Sequence, residues 1–259
     1  DRMLLVFPFE EAIYREAGIP AAYCGHPLAD QIPMHPDRLE ARQALGIASG
    51  DTVVAVLPGS RAAEVSHIGP VFLDTIDMLA RQHPGWRFLI PAAGDERRLQ
   101  LTQLMSGRQS GADIRLLSGQ AHRALAACDI TLIASGTATL EAALFKRPMV
   151  IAYRMSPLSY RLMKGRGYLP YVGLPNILSG EFVVPEFIQE AATPAALANA
   201  VVRRLHDTAG NERLVERFQE IHRQLALGCA QRVAAAMMAE AGSGSWERSG
   251  AGPEAGATR

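Results

Sequence analysis

Cysteine, lysine, tryptophan and net charge are all scarce in this chain of 259 residues. The 3 cysteines, at positions 24, 128 and 229, are too few and too far apart for a zinc site or a disulfide framework, so incidental reduced thiols are expected. Lysine occurs only at 146 and 164, so the positive charge is almost wholly arginine, a compositional bias without functional content. Lysine plus arginine (26) balances aspartate plus glutamate (26), which argues against a general nucleic-acid binder. No apolar run approaches the ~18 residues of a membrane-spanning helix, and no signal peptide is visible. A soluble or peripheral cytoplasmic protein is expected. Several catalytic signatures are missing as well: Asp-x-Asp, His-x-x-x-His, Gly-x-Ser-x-Gly, Gly-x-Gly-x-x-Gly and the Gly-Lys-Ser/Thr ending of a Walker loop. Their absence leaves no marked metal–diphosphate site, zinc protease, serine hydrolase or dinucleotide fingerprint.

What is present is an alternation of short apolar strands and helices, and 48% hydrophobic residues to fill a core. Leu4–Phe7 reads as a strand, Glu10–Ala17 as a helix ended by Gly18 and Pro20, and Ala21–Cys24 as a second strand. Since Asp1 is followed almost at once by a buried strand, the chain is expected to begin inside a fold. Residues 26–36 are turn-rich and suggest a domain boundary. His26 in that stretch is either a ligand contact or a structural hydrogen-bonder. Helix Asp37–Leu45 leads into strands Val53–Leu57, Trp86–Ile90, Ile114–Leu117, Ile130–Ile133 and Met149–Tyr153. Between them lie helices Glu64–His83, Asp95–Met105, Ala121–Ala127 and Thr137–Phe145. Such a series implies a parallel sheet covered on both faces, with ligands at the carboxyl ends of its strands. Residues 193–241 read as wholly helical, beginning at Thr193-Pro194, and 242–259 as a disordered tail.

Two small-residue turns fall at those carboxyl ends. Ile130–Ile133 runs into Ser135-Gly136-Thr137-Ala138-Thr139 and then a helix carrying Glu141. Unpaired amides at a helix start suit a phosphate, Ser135 suits an N-cap, and Gly136 admits close approach. The second turn is Leu57-Pro58-Gly59-Ser60-Arg61, followed by Glu64, where Arg61 offers a planar fork to a phosphate. Either turn read alone is equally an ordinary connection. Leu174-Pro175-Asn176-Ile177-Leu178, between Gly173 and Gly180, suggests a bound loop, or a buried asparagine satisfying the loop's own backbone. No acidic residue lies between Glu141 and Glu181, whereas Lys146, Arg147, Arg154, Arg161, Lys164 and Arg166 do, interleaved with Tyr153, Tyr160, Tyr168 and Tyr171. An anionic ligand, an anionic membrane surface, RNA or a solvated face would each explain that stretch.

Taken together these motifs resemble the lipid-A-disaccharide synthase family. The resemblance rests on Leu57–Arg61 with Ala63-Glu64-Val65, on Ala134–Ala143, on Met149–Arg154 and on Leu174–Leu178. Phe7-Pro8-Phe9-Glu10-Glu11 and Gly25-His26-Pro27-Leu28-Ala29-Asp30 match in the same order, so it covers residues 1 to about 240. It implies an α/β fold of the GT-B type. One complete Rossmann-like domain (31–192) would bind a UDP-sugar, residues 1–30 would be the remnant of an acceptor domain, and 193–241 the C-terminal helices. The reaction implied joins UDP-2,3-diacylglucosamine to 2,3-diacylglucosamine 1-phosphate, with inversion and release of UDP. No metal or organic cofactor is implied. The partners implied are the UDP-sugar donor, the acylated glucosamine phosphate acceptor, the inner-membrane surface and, through residues 195–241, a second copy of the chain.

Residue by residue, the resemblance assigns Arg61 and the N–H groups of Gly136, Thr137 and Ala138 to the leaving diphosphate, and Ser60, Ser135 and Thr139 to UDP-sugar binding more broadly. Glu141 would hold the ribose, Gly119 and Gln120 the uracil through their backbone atoms, and Asn176 the sugar or a phosphate. The catalytic base is expected upstream, so residues 1–259 alone are expected to bind donor without transferring it. A UDP-N-acetylglucosamine 2-epimerase-like enzyme and a non-catalytic UDP-binding module are the alternatives.

Overall fold

The structure, a computed structural model, describes residues 2–156, 160–161 and 170–243, with side chains as far as 239. It divides into two compact units, residues 1–27 with 227–259, and residues 28–226.

In the first unit, strands β1 (Met3–Leu5) and β2 (Ala21–Tyr23) pair in parallel around helix α1 (Glu10–Glu16). The Glu10 carboxylate accepts from Phe7 N at 3.0 Å and anchors the turn into α1. The ring of Phe7 lies 5.1 Å from that of His26. The last helix (Cys229–Ser243) belongs to this unit, and its Arg232 acts electrostatically on Tyr23 of β2.

The second unit carries helices α2 (Pro27–Gln31, all but its first residue) and α3 (Arg38–Ala44), then strand β3 (Val53–Leu57) and helix α4 (Ala62–Gln82). Strand β4 (Arg87–Ala92), helix α5 (Asp95–Met105), strand β5 (Asp113–Ser118) and helix α6 (Ala121–Ala127) follow. Strand β6 (Ile130–Ala134), helix α7 (Ala138–Leu144) and strand β7 (Met149–Tyr153) continue the alternation. Helix α8 (Leu174–Ser179), strand β8 (Glu186–Ile188), and helices α9 (Pro194–His206) and α10 (Thr208–Leu225) complete the unit. The last helix of the chain is α11.

The six strands form one sheet in the order β5-β4-β3-β6-β7-β8, every pair parallel. All five residues of β3 and of β6 are buried, because helices cover both faces, and the strands therefore read as unbroken apolar runs. One face is packed by α4 and α9, with Val54, Val56, Phe72, Ile76, Phe88, Leu197 and Val201 in one cluster. Asp37, Thr193 and Asp207 cap α3, α9 and α10 by accepting from backbone N–H groups.

The C-terminal helices differ in what they expose, and one expectation changes in this unit. Leu197, Ala198 and Val201 of α9 and Leu214, Phe218, Ile221 and Leu225 of α10 are buried within the chain itself. Of the C-terminal helices, α11 exposes the large apolar side chains Met237 and Met238. The stretch at 174–178 is a helix, not a loop: Pro175 fits its first turn, and Gly180 closes it at φ 70°.

Lys146 and His222 form a buried pair, 7% and 2% exposed. His222 Nε2 lies 2.8 Å from Ala29 O, so that nitrogen carries the proton. Nδ1 then accepts from the Lys146 ammonium at 2.5 Å, and Nζ also donates to Leu144 O at 2.6 Å. Burial, joined by the Lys146 charge, lowers the His222 pKa against the opposing bond to Ala29 O. Burial, then Arg147, brings Lys146 down to about 8. The unfolded chain therefore binds more protons than the folded one in both ranges, and stability rises with pH wherever that holds. Stability is expected to fall as pH drops below about 6.5, the ordinary histidine value. His222→Gln should flatten that limb of a urea-midpoint-against-pH profile. An unchanged profile would remove His222 as its cause.

Candidate functional site

The sheet order places β3 beside β6, although some seventy residues separate them in the chain. From β3 the chain winds outward through β4 and β5, and from β6 it winds the other way through β7. The carboxyl ends of β3 and β6 thus flank the point where winding reverses, the usual ligand crevice of an open parallel sheet. A cavity of about 410 Å³ lies there, within the range of small-molecule sites. Small residues at the strand ends, including Ala92 and Ala134, leave it open.

Of the residues expected from sequence, Ser60, Arg61, Gly119, Ser135, Gly136, Thr137, Ala138 and Glu141 line this cavity. The amides of Gly136, Thr137 and Ala138 donate to no protein acceptor among the described residues, whereas Ser135 N is paired with Ala152 O at 3.1 Å. They are free to bind an anion. Glu141 is held by His122, whose Nε2 lies 3.2 Å from Glu141 Oε2, and the His122 ring packs 5.2 Å from that of Phe145. Sequence reasoning missed His122: a lone histidine early in a helix gives no signal.

Gly59 has φ 110°, and a Cβ there would sit 2.7 Å from Glu64 Cβ, so only glycine permits this turn. Glu64, part of the family resemblance, has a structural role that sequence reasoning did not give it. Its Oε2 accepts from Ser60 N at 3.0 Å and Arg61 N at 3.2 Å, while Oε1 pairs with Arg61 Nη1 at 2.9 Å. The glutamate three residues after position 61 is the available sign of such a cap. The turn before α4 is therefore closed by its own carboxylate. Arg61, 83% exposed, is the cation it offers to the cavity.

Other expected contacts are spent inside the fold. Ser135 does not cap α7; its Oγ donates to Val172 O at 2.8 Å. Thr139 is buried and donates to Gly136 O at 2.7 Å, which holds the turn from below. The Gln120 side chain accepts from Arg123, which leaves its expected backbone contact untouched; the residue sits in the left-handed region at φ 59°. Asn176 is 0% exposed, donates to Val184 O and Glu186 Oε1, and accepts from Val183 N and Val184 N. All four of its hydrogen bonds are thus made within the fold, as the structural alternative for this asparagine expects.

The basic stretch after Glu141 is also largely internal. Lys146 meets carbonyls and His222, Arg147 donates to Leu125 O and Ala126 O, and Arg154 donates to Gln189 O and Ala192 O. Buried carbonyls need donors, and long cationic side chains supply them. Tyr171 donates to Gly180 O. Lys164, Arg166 and Tyr168 lie outside the described residues. Among the described residues no helix is long and apolar enough to cross a membrane, and no cluster of three or more His, Cys, Asp or Glu could hold a metal.

Comparison with known proteins places this geometry. The sequence profile of the family described as Lipid-A-disaccharide synthetase matches residues 1–238. A lipid-A-disaccharide synthase of Paraburkholderia phytofirmans is 50% identical over 234 residues, which are 90% of this chain and 60% of the relative. One from Pseudomonas putida is 49% identical over 239 residues, 92% of this chain and 62% of the relative. The chain thus spans about 60% of the length of these curated relatives. Among solved structures, sucrose-phosphate synthase from Thermosynechococcus elongatus aligns with a TM-score of 0.56 at 17% identity, over 93% of this chain and 58% of that one. WaaG, a glycosyltransferase involved in lipopolysaccharide biosynthesis, gives 0.54 at 13% identity, over 90% of this chain and 61% of its own. Anabaena HepE in complex with UDP and glucose gives 0.53 at 17%, over 91% of this chain and 62% of its own. These likenesses speak for the GT-B type of fold. A parallel sheet with a cavity at its switch point, the motifs that line that cavity and the match over residues 1–238 all agree, and the chain belongs to the lipid-A-disaccharide synthase family.

Proposed function

We propose that residues 28–226 bind the UDP portion of an acylated UDP-glucosamine. In the whole protein this donor half serves transfer of 2,3-diacylglucosamine to 2,3-diacylglucosamine 1-phosphate, at the cytoplasmic face of the inner membrane. One observation carries the reading: Arg61, Glu141 and the unpaired amides of Gly136, Thr137 and Ala138 converge on one cavity at the switch point of the sheet. The names of the relatives, and the UDP in the HepE complex, support it.

The chemistry follows from where charge develops. As the acceptor hydroxyl attacks the anomeric carbon, the bond to the diphosphate breaks and negative charge grows on the leaving group. Amides already aimed at that place stabilise the charge without reorganising, so they favour the transition state over the ground state. Arg61 must leave Glu64 to reach a phosphate. An exposed ion pair is worth at most about 1 kcal/mol, whereas a charge-assisted hydrogen bond contributes about 1.5–3 kcal/mol, so the exchange is favourable. Glu141 keeps a carboxylate oxygen for the ribose hydroxyls while His122 holds the other. Relatives about 50% identical that carry the synthase name leave the 2-epimerase alternative without support.

Isothermal titration of the 259-residue chain with UDP, UMP and uridine tests the reading. Saturable binding of one UDP is expected, tighter than UMP and tighter again than uridine. Glu141→Ala should abolish the preference for UDP over 2′-deoxy-UDP. No saturation by UDP at millimolar concentration would overturn the proposal.

A further inference from the structure

The stretch that leads into α8 is fastened on one side to the turn after β6. Val172 O accepts from Ser135 Oγ at 2.8 Å, and Leu174 N donates to Thr139 Oγ1 at 3.3 Å. Thr139 Oγ1 in turn donates to Gly136 O at 2.7 Å. On its other side the same stretch is gripped by a single carboxylate on β8. Glu186 Oε2 accepts from Val172 N at 3.0 Å, and Oε1 accepts from Gly173 N and Asn176 Nδ2, both at 2.8 Å. There is no slack between them. A Cβ on Gly173 would lie 2.3 Å from Ile151 Cδ1 and 3.0 Å from Glu186 Oε1.

The geometry points to Glu186 as a positioning residue for the diphosphate site: through Val172–Leu174 it sets the place of Ser135 and of the Gly136–Ala138 amides. This rests on the reading of the cavity given above. A carboxylate is needed because all three of its partners are donors. A glutamine at 186 would turn an N–H₂ group toward Val172 N, or toward Gly173 N and Asn176 Nδ2. The first orientation loses one bond and the second two, and in each a donor meets a donor and a backbone amide is left unpaired. Asn176 acts in the same chain of contacts. It ties the carboxylate to the backbone at Val183 and Val184, which accounts for a polar residue so deep in an apolar segment.

The test compares the whole chain with Glu186→Gln by hydrogen exchange and by titration with UDP and uridine. Exchange is expected to quicken at 172–174 and also at 139–141, whose amides donate to Gly136 O and Thr137 O and so report on the turn. UDP binding should weaken about tenfold, the equivalent of one lost hydrogen bond, with uridine binding changed by less than about twofold. The double variant with Ser135→Ala should lose no more UDP affinity than the weaker-binding single variant, because both act through Val172. Equal losses for UDP and uridine, additive losses in the double variant, or unaltered exchange at 139–141 would each overturn the role. Should Glu186→Gln fail to fold, Ser135→Ala carries the test alone: quicker exchange at 172–174 is expected, and unchanged exchange refutes the link. A chain that binds no UDP at all would overturn the functional reading, while the exchange at 139–141 would still decide the positioning role.

Discussion

Replacing Arg42 by methionine is expected to cost about 3–5 kcal/mol of folding stability, the scale for breaking a buried charged network. Arg42 is 2% exposed. Its guanidinium donates to Ala127 O at 2.9 Å, to Ala48 O, Ser49 O and Asp51 O at 2.8–3.0 Å, and to Asp129 Oδ2 at 2.8 Å. Those acceptors lie in two segments that must meet for β3 to pair with β6, and Asp129 also accepts from Val53 N at the start of β3. Arg38 still reaches Asp129 in the variant, so the carboxylate keeps a partner. The cost comes mainly from the carbonyls left without donors. Lysine cannot span so many acceptors from one ammonium, so Arg42→Lys should recover little. Urea denaturation checks this: the midpoint should fall with the slope unchanged. A loss below about 1 kcal/mol would mean that water replaces the guanidinium at these carbonyls.

Arg61→Ala is expected to weaken UDP binding by about 1.5–3 kcal/mol, roughly 10- to 150-fold, while uridine binding stays within about twofold. Arg61 is 83% exposed and contributes little to the fold, so stability should hardly change. Calorimetry separates this loss from a folding defect when the variant is first shown to melt as the parent does. Unaltered UDP affinity would remove Arg61 from the site.

Much of this fold is legible from residues alone. Strands buried on both faces must be apolar throughout, and Gly and Pro interrupt them, so Val53–Leu57 and Met149–Tyr153 carry their own boundaries. The helices Asp95–Met105 and Ala121–Ala127 do likewise. The stretch at 174–179 was harder. Proline and two flanking glycines mark a loop as readily as they mark a short helix with Pro175 in its first turn and Gly180 at its end. The run of cations from Lys146 to Arg154 is ambiguous in sequence for a related reason. A sequence shows how many donors there are but not which carbonyls lie within reach of them.

The order of elements, the family and the two turns that line the candidate site were determined by the sequence itself, because period, punctuation and motif are local properties. Which polar side chains remain free was decided only by the tertiary structure. Thr139, Asn176 and Lys146 are consumed by partners brought from elsewhere in the chain, while Arg61 and the amides at 136–138 are left facing the cavity. A hydrogen bond depends on where its partner lies, and these partners are set by the pairing of β3 with β6 and of β7 with β8.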